Sequence, residues 1–109
     1  MAPLIPELNH TLHQATRFAI MSHLLKAGGG DQFPDVKRAL GFKNASALST
    51  HVTVLENAGY LKVRKSFKGR MTRTDLVMTA RGQRAFEKHK EQLERMSEPS
   101  ETAAPEAVA

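Results

Sequence analysis

The apolar residues of this chain change period part-way along, and that change limits the folds open to it. Up to Gly59 they recur at spacings of three and four, the repeat of amphipathic helices, whereas from Tyr60 to Met78 they alternate as strands do. Leu4, Ile5, Leu8 and Leu12 suggest a short opening helix, with Pro6 tolerable in its first turn. Thr16 is the expected N-cap of a second helix, in which Phe18, Met21 and Leu25 form one apolar row and Ile20 and Leu24 the next, and Gly28-Gly29-Gly30 is its stop. A third helix is expected from Pro34, presenting Val36, Ala39 and Leu40 to the core and closing at Gly41. After the linker Phe42-Lys43-Asn44, a fourth helix capped by Asn44 or Ser46 buries Leu48, Val52 and Leu55 and stops at Asn57-Ala58-Gly59. Two short helices joined by so short a linker describe a helix-turn-helix.

In the alternating stretch, Leu61, Val63 and Phe67 share one strand face and Thr74, Leu76 and Met78 a returning one, with Lys68-Gly69-Arg70 as the turn. Thr79 then caps a last helix running to Met96. Its apolar positions Phe86, His89, Leu93 and Met96 are sparse and spaced by three and four, which reads as a narrow seam seeking a partner helix. Residues 97–109, rich in Ala, Glu, Pro and Ser, show no period and read as a disordered tail. The expected class is α+β, mainly α: a winged helix-turn-helix with a two-stranded β-hairpin wing and terminal helices, over residues 1–96 as a single domain.

A chain of 109 residues with 40% apolar and 25% charged side chains suits one globular domain. It contains no apolar run long enough to span a bilayer, so no membrane association is expected, and its N-terminus does not read as a secretory signal, which makes the cytoplasm the expected location. With no cysteine, thiolate metal sites, disulfides and cysteine nucleophiles are excluded. No cofactor, metal or enzymatic activity is expected: the Ser, His and acidic residues lack the spacing of a nucleophile motif. His10 and His13 could share a helical face but lack a third ligand of suitable spacing, and the triple glycine follows a helix and lacks the ending of a phosphate loop. His51 borders the buried row of the fourth helix, where it could pack or touch a phosphate.

Charge is distributed unevenly. Between Val36 and Arg73 nine Lys or Arg face Glu56 alone, a local balance of +8, and the remainder of the chain carries −3. A basic centre is the footprint expected of a chain that neutralises phosphates and displaces their counterions. With Leu48, Val52 and Leu55 turned inward, the fourth helix exposes Ser46, Ala47, Ser49, Thr50, Thr53 and Val54, residues that a purely solvated helix would replace with Glu, Lys or Gln. Short hydroxyl-bearing side chains let a helix enter a major groove, and the candidate DNA readers are Ser46, Ser49, Thr50 and Thr53. Lys65, Lys68, Arg70 and Arg73, on or beside the hairpin tip, are the candidate contacts to backbone or to a flanking minor groove.

The segments SALSTHVTVLENAGYL (46–61) and KSFKGRMTRTDLVMTARG (65–82) resemble the recognition helix, wing and following helix start of winged-helix regulators related to the ArsR and MarR families, and HQATRFAIMSHLL (13–25) resembles their early core helix. The likeness covers roughly residues 8–96. It implies a DNA-binding homodimer that represses promoters, pairing through terminal helices, here Leu8, Leu12, Phe86, His89, Leu93 and Met96. Two departures stand out: the cysteine-containing metal motif of metal-sensing ArsR proteins is absent, and the linker before Leu48 is slightly longer than usual.

The expected function is a sequence-specific, double-stranded-DNA-binding transcriptional regulator, a homodimeric repressor controlled by a regulatory protein or a small-molecule effector. The alternative is a winged-helix module whose small-residue helix and basic hairpin dock an acidic protein.

Overall fold

A computed structural model of the chain describes residues 10–97. In order it comprises α1 (His10–His13), α2 (Ala15–Lys26), β1 (Gly30–Gln32), α3 (Phe33–Ala39), α4 (Ala45–Asn57), β2 (Leu61–Lys68), β3 (Met71–Met78) and α5 (Ala80–Ser97). The helices gather on one face of a three-stranded antiparallel sheet of order β1-β3-β2. Most of the expected opening helix, including Leu4, Ile5 and Leu8, lies outside the described residues, as does the expected tail beyond Ser97, the residue on which α5 ends.

Local sequence explains most boundaries. α2 is capped not by Thr16 but by Gln14, whose extended backbone breaks α1 from α2 and whose side chain accepts from the Arg17 amide at 3.0 Å. Thr16 is already inside the first turn. At the other end, Gly28 and Gly29 adopt φ of 85° and 107°, and the Gly29 amide reaches back to the Leu24 carbonyl at 2.8 Å, closing the helix as a left-handed glycine cap does. Gly30 does not belong to this stop. It opens β1, which pairs with Val77, Leu76 and Asp75 of β3 and makes the sheet three-stranded where a bare hairpin was expected. Three residues carry no readable period, and only the distant β3 makes them a strand.

Leu12, Ile20, Met21, Leu24, Val36, Leu48, Val52, Leu55, Leu61, Leu76, Met78 and Phe86 form one core, each worth roughly 1.5–3 kcal/mol on burial. The row expected of α4 is buried in full; of those expected of α2, Ile20, Met21 and Leu24 are buried, and Phe18 and Leu25 pack half-buried against the core. Two positions differ from expectation. Ala39 is exposed, whereas Val36 and Leu40 meet the core as expected. Phe67 is 75% exposed, because the helices cover the sheet only as far as Val63 and Leu76 and the hairpin continues beyond them.

Phe86 and His89, expected in an intermolecular seam, are instead 2% and 0% exposed within the protomer. Their rings stand 5.0 and 5.8 Å from that of Phe18, so they dock α5 onto α2. Leu12 is equally buried, Leu93 is half-buried, and Met96 is 44% exposed. Among the described residues of the expected interface, Leu93 and Met96 are left accessible.

Candidate nucleic-acid interface

α4 is set at its start by Asn44, whose Oδ1 accepts from the Ala47 amide at 2.9 Å and from the Ser46 hydroxyl at 2.8 Å. Such a cap satisfies amides that otherwise have no partner. Once Leu48, Val52 and Leu55 are buried, Ser46, Ser49, Thr50 and Thr53 fall on one exposed stripe. Their hydroxyls are not equivalent. Ser46 donates to Asn44 and Thr50 donates to the Ser46 carbonyl at 3.0 Å, so both present mainly lone pairs outward. Ser49 and Thr53 are turned towards the hairpin and line a groove of about 370 Å³ with Ala45, Lys65 and Thr74.

The groove exists because of strand register. β2 and β3 pair from Leu61↔Met78 to Lys68↔Met71, so Leu61, Val63, Lys65 and Phe67 share one face with Thr72, Thr74, Leu76 and Met78. That face looks to α4. Lys65 therefore stands beside the hydroxyl-bearing stripe of α4, while Gly69, at φ 67°, and Arg70 form the two-residue connection at the tip. Lys68 and Arg70 are exposed there.

Arg73 lies on the opposite face and is not a free cation. Its Nε donates to both carboxylate oxygens of Asp75, at 3.1 and 3.0 Å, and this bond raises the guanidinium pKa above its ordinary value. The four basic candidates are thus divided, with Lys65 facing α4, Lys68 and Arg70 at the tip, and Arg73 balanced by an acid. Sequence spacing held the signal for the last pair, since residues two apart share a strand face.

His51 packs and is held in place. It is half-buried, its ring lies 6.3 Å from Phe42, and its Nδ1 is 3.3 Å from an Arg17 terminal nitrogen, whose Nε donates to the Thr11 carbonyl at 2.7 Å. Burial, and then the Arg17 charge, lower the imidazole pKa, so the neutral ring with Nδ1 accepting fits the site. Arg17 thereby ties α1 and α2 to α4. Nothing in the local sequence marked it, since its partners are 6 and 34 residues away. Among the described residues no three His, Asp or Glu gather into a group able to hold a metal, and no helix is long and apolar enough to cross a membrane.

The sequence profile of the winged helix DNA-binding domain matches residues 16–97, from the start of α2 to the end of α5. The chain belongs to this family. The winged-helix domain superposes on the transcriptional regulator homologue from Pyrococcus horikoshii OT3 with a TM-score of 0.75 and 26% identity, covering 81% of this chain and 85% of that one. It shares its fold with AbsC, a MarR family transcriptional regulator from Streptomyces coelicolor (TM-score 0.63, 21% identity, 88% and 68% covered). It likewise resembles reduced AbfR, whose structure is bound to DNA (TM-score 0.68, 18% identity, 85% and 68% covered). No curated protein matches significantly by sequence. The expected resemblance to MarR-type winged-helix regulators is thus found in the fold.

Proposed function

We propose that this winged-helix domain is a sequence-specific regulator of transcription that represses promoters as a homodimer on a pseudo-palindromic site. The single observation carrying this reading is the pairing of an uncharged, hydroxyl-bearing stripe on α4 with a hairpin whose outer part, Leu61 to Thr74, holds no acid. In this reading Ser46, Ser49, Thr50 and Thr53 face base edges in the major groove, Lys65 follows the adjoining strand, and Lys68 and Arg70 hold backbone or a flanking minor groove. Arg73 contributes less, its charge being shared with Asp75. Pairing of two chains is assigned to the outer side of α5, where Leu93 and Met96 remain accessible. Activity is set by an effector or by a second protein.

Selection of bound fragments from random DNA, followed by mobility shifts across a salt series, tests the reading. A recovered motif with two half-sites supports it. Uniform weak retention of every sequence, together with capture of an acidic protein through the same helix and hairpin, would favour the interaction-module alternative.

A further inference from the structure

Phe67 and Met71 are each 75% exposed, the most exposed large apolar side chains among the described residues. Neither contributes to the core. Register places Phe67 opposite Thr72 on the face towards α4, and Met71 opposite Lys68 on the other face. Pairing with β1 ends at Gln32↔Asp75, so at this point the wing is a ribbon two strands wide with one large apolar group on each side. Lys68 and Arg70 lie at its end, and Lys62, Arg64 and Lys65 follow it inward, while Arg73 is balanced by Asp75.

That charge selects a polyanion, and the two-sided apolar tip selects a shape. A DNA minor groove is about 6 Å wide and rimmed by phosphates. Its walls are deoxyribose, which offers apolar C–H surface. A ribbon entering edge-on meets one wall with each face, while an arginine at its leading end reaches the negative potential at the floor. Apolar side chains inserted in this way part base steps and bend the duplex towards the major groove.

We propose that Phe67 and Met71 are minor-groove contacts, wedged against opposite walls of the groove beside the α4 site, with Arg70 leading and Lys68 on a rim phosphate. This rests on the DNA-binding reading above and adds a contact to it that charge does not supply. Both side chains are exposed, so their replacement leaves the core intact.

The test uses the full chain and the DNA selected by it. Phe67→Ala and Met71→Ala should each weaken binding about tenfold, equivalent to about 1.4 kcal/mol. They should leave the salt slope unchanged, since no phosphate contact is lost, and should reduce the bend read by energy transfer between labelled DNA ends. Phe67→Leu and Met71→Leu should retain affinity. Filling the minor groove with a polyamide should weaken the wild type more than the double alanine variant. Alanine variants that bind and bend DNA like the wild type, while Lys68→Ala with Arg70→Ala binds weakly, would overturn this inference and leave DNA binding standing. Loss of binding to phosphatidylserine-containing vesicles at unchanged DNA affinity would also overturn it, assigning the tip to lipid. A wild type that selects no DNA removes both readings.

Discussion

Replacing Asn44 with alanine strips α4 of both bonds at its start, and the expected cost is about 1 kcal/mol, seen as a lower urea midpoint at unchanged slope. Gly82→Ala should cost more. A Cβ there would lie 2.1 Å from the Tyr60 carbonyl oxygen, which already accepts the Thr79 amide and is part of the backbone, so α5 would have to lift from its seat; a loss of about 3 kcal/mol is expected. Titration adds a third prediction. Because the native His51 holds its proton less tightly than the ordinary 6.5, the unfolded chain takes up the proton first and stability falls as pH drops below that value. His51→Gln should flatten this part of the profile of urea midpoint against pH. Asp31 acts at lower pH: its bond from His23 holds the carboxyl below the ordinary 3.8, so its contribution persists above that value and disappears on acidification through the lowered one. None of these partnerships was legible residue by residue, because each joins positions whose proximity only the fold creates. The Asn44 cap is the exception, since cap and amide are three apart.

At the scale of elements, legibility followed periodicity. α2, α4, the hairpin and the start of α5 each repeat an apolar pattern long enough to be read, and the Thr79 cap expected of α5 is found, its hydroxyl accepting from the Gly82 amide at 2.9 Å. β1 is too short to show a pattern, and the packed side of α3 was assigned one residue too widely. The exposed hydroxyl-bearing stripe of α4 followed directly from the buried row behind it. The wing did not, because alternation marks faces but not where the covering helices end: Phe67 shares the face of Leu61 and Val63 yet lies beyond the helices, and Arg73 shares its face with Asp75. The charges can be sorted by salt dependence. Lys68→Ala should lower the slope of log affinity against log salt by about 0.9, one phosphate contact's worth. Arg73→Ala should change it much less, as Asp75 already balances that charge.

For the whole molecule, the sparse row on α5 shows why assembly is harder to read than fold. A helix that packs on its own α2 and one that packs on a second chain require the same spacing, and Phe86 and His89 proved to serve the former. The proposed dimer consequently rests on Leu93 and Met96. Sedimentation of Leu93→Glu with Met96→Glu should show a monomer where the wild type is a dimer, with the affinity for a two-half-site DNA falling towards that for a single half-site. Centres of the two protected half-sites should lie roughly 34 Å apart in a footprint.

The sheet order β1-β3-β2 makes the wing a cantilever. Its root, at Val77, Leu76 and Asp75, is clamped on both sides, whereas the four pairs from Lys65↔Thr74 to Lys68↔Met71 overhang by roughly 13 Å at about 3.3 Å per residue. Stiffness is therefore concentrated where the helices meet the sheet, and compliance increases outward. Under the proposed function, such a beam would let its tip follow DNA whose groove width varies while the root keeps α4 in fixed alignment, so that tolerance for duplex shape and strictness in base reading would be mechanically decoupled within a single hairpin.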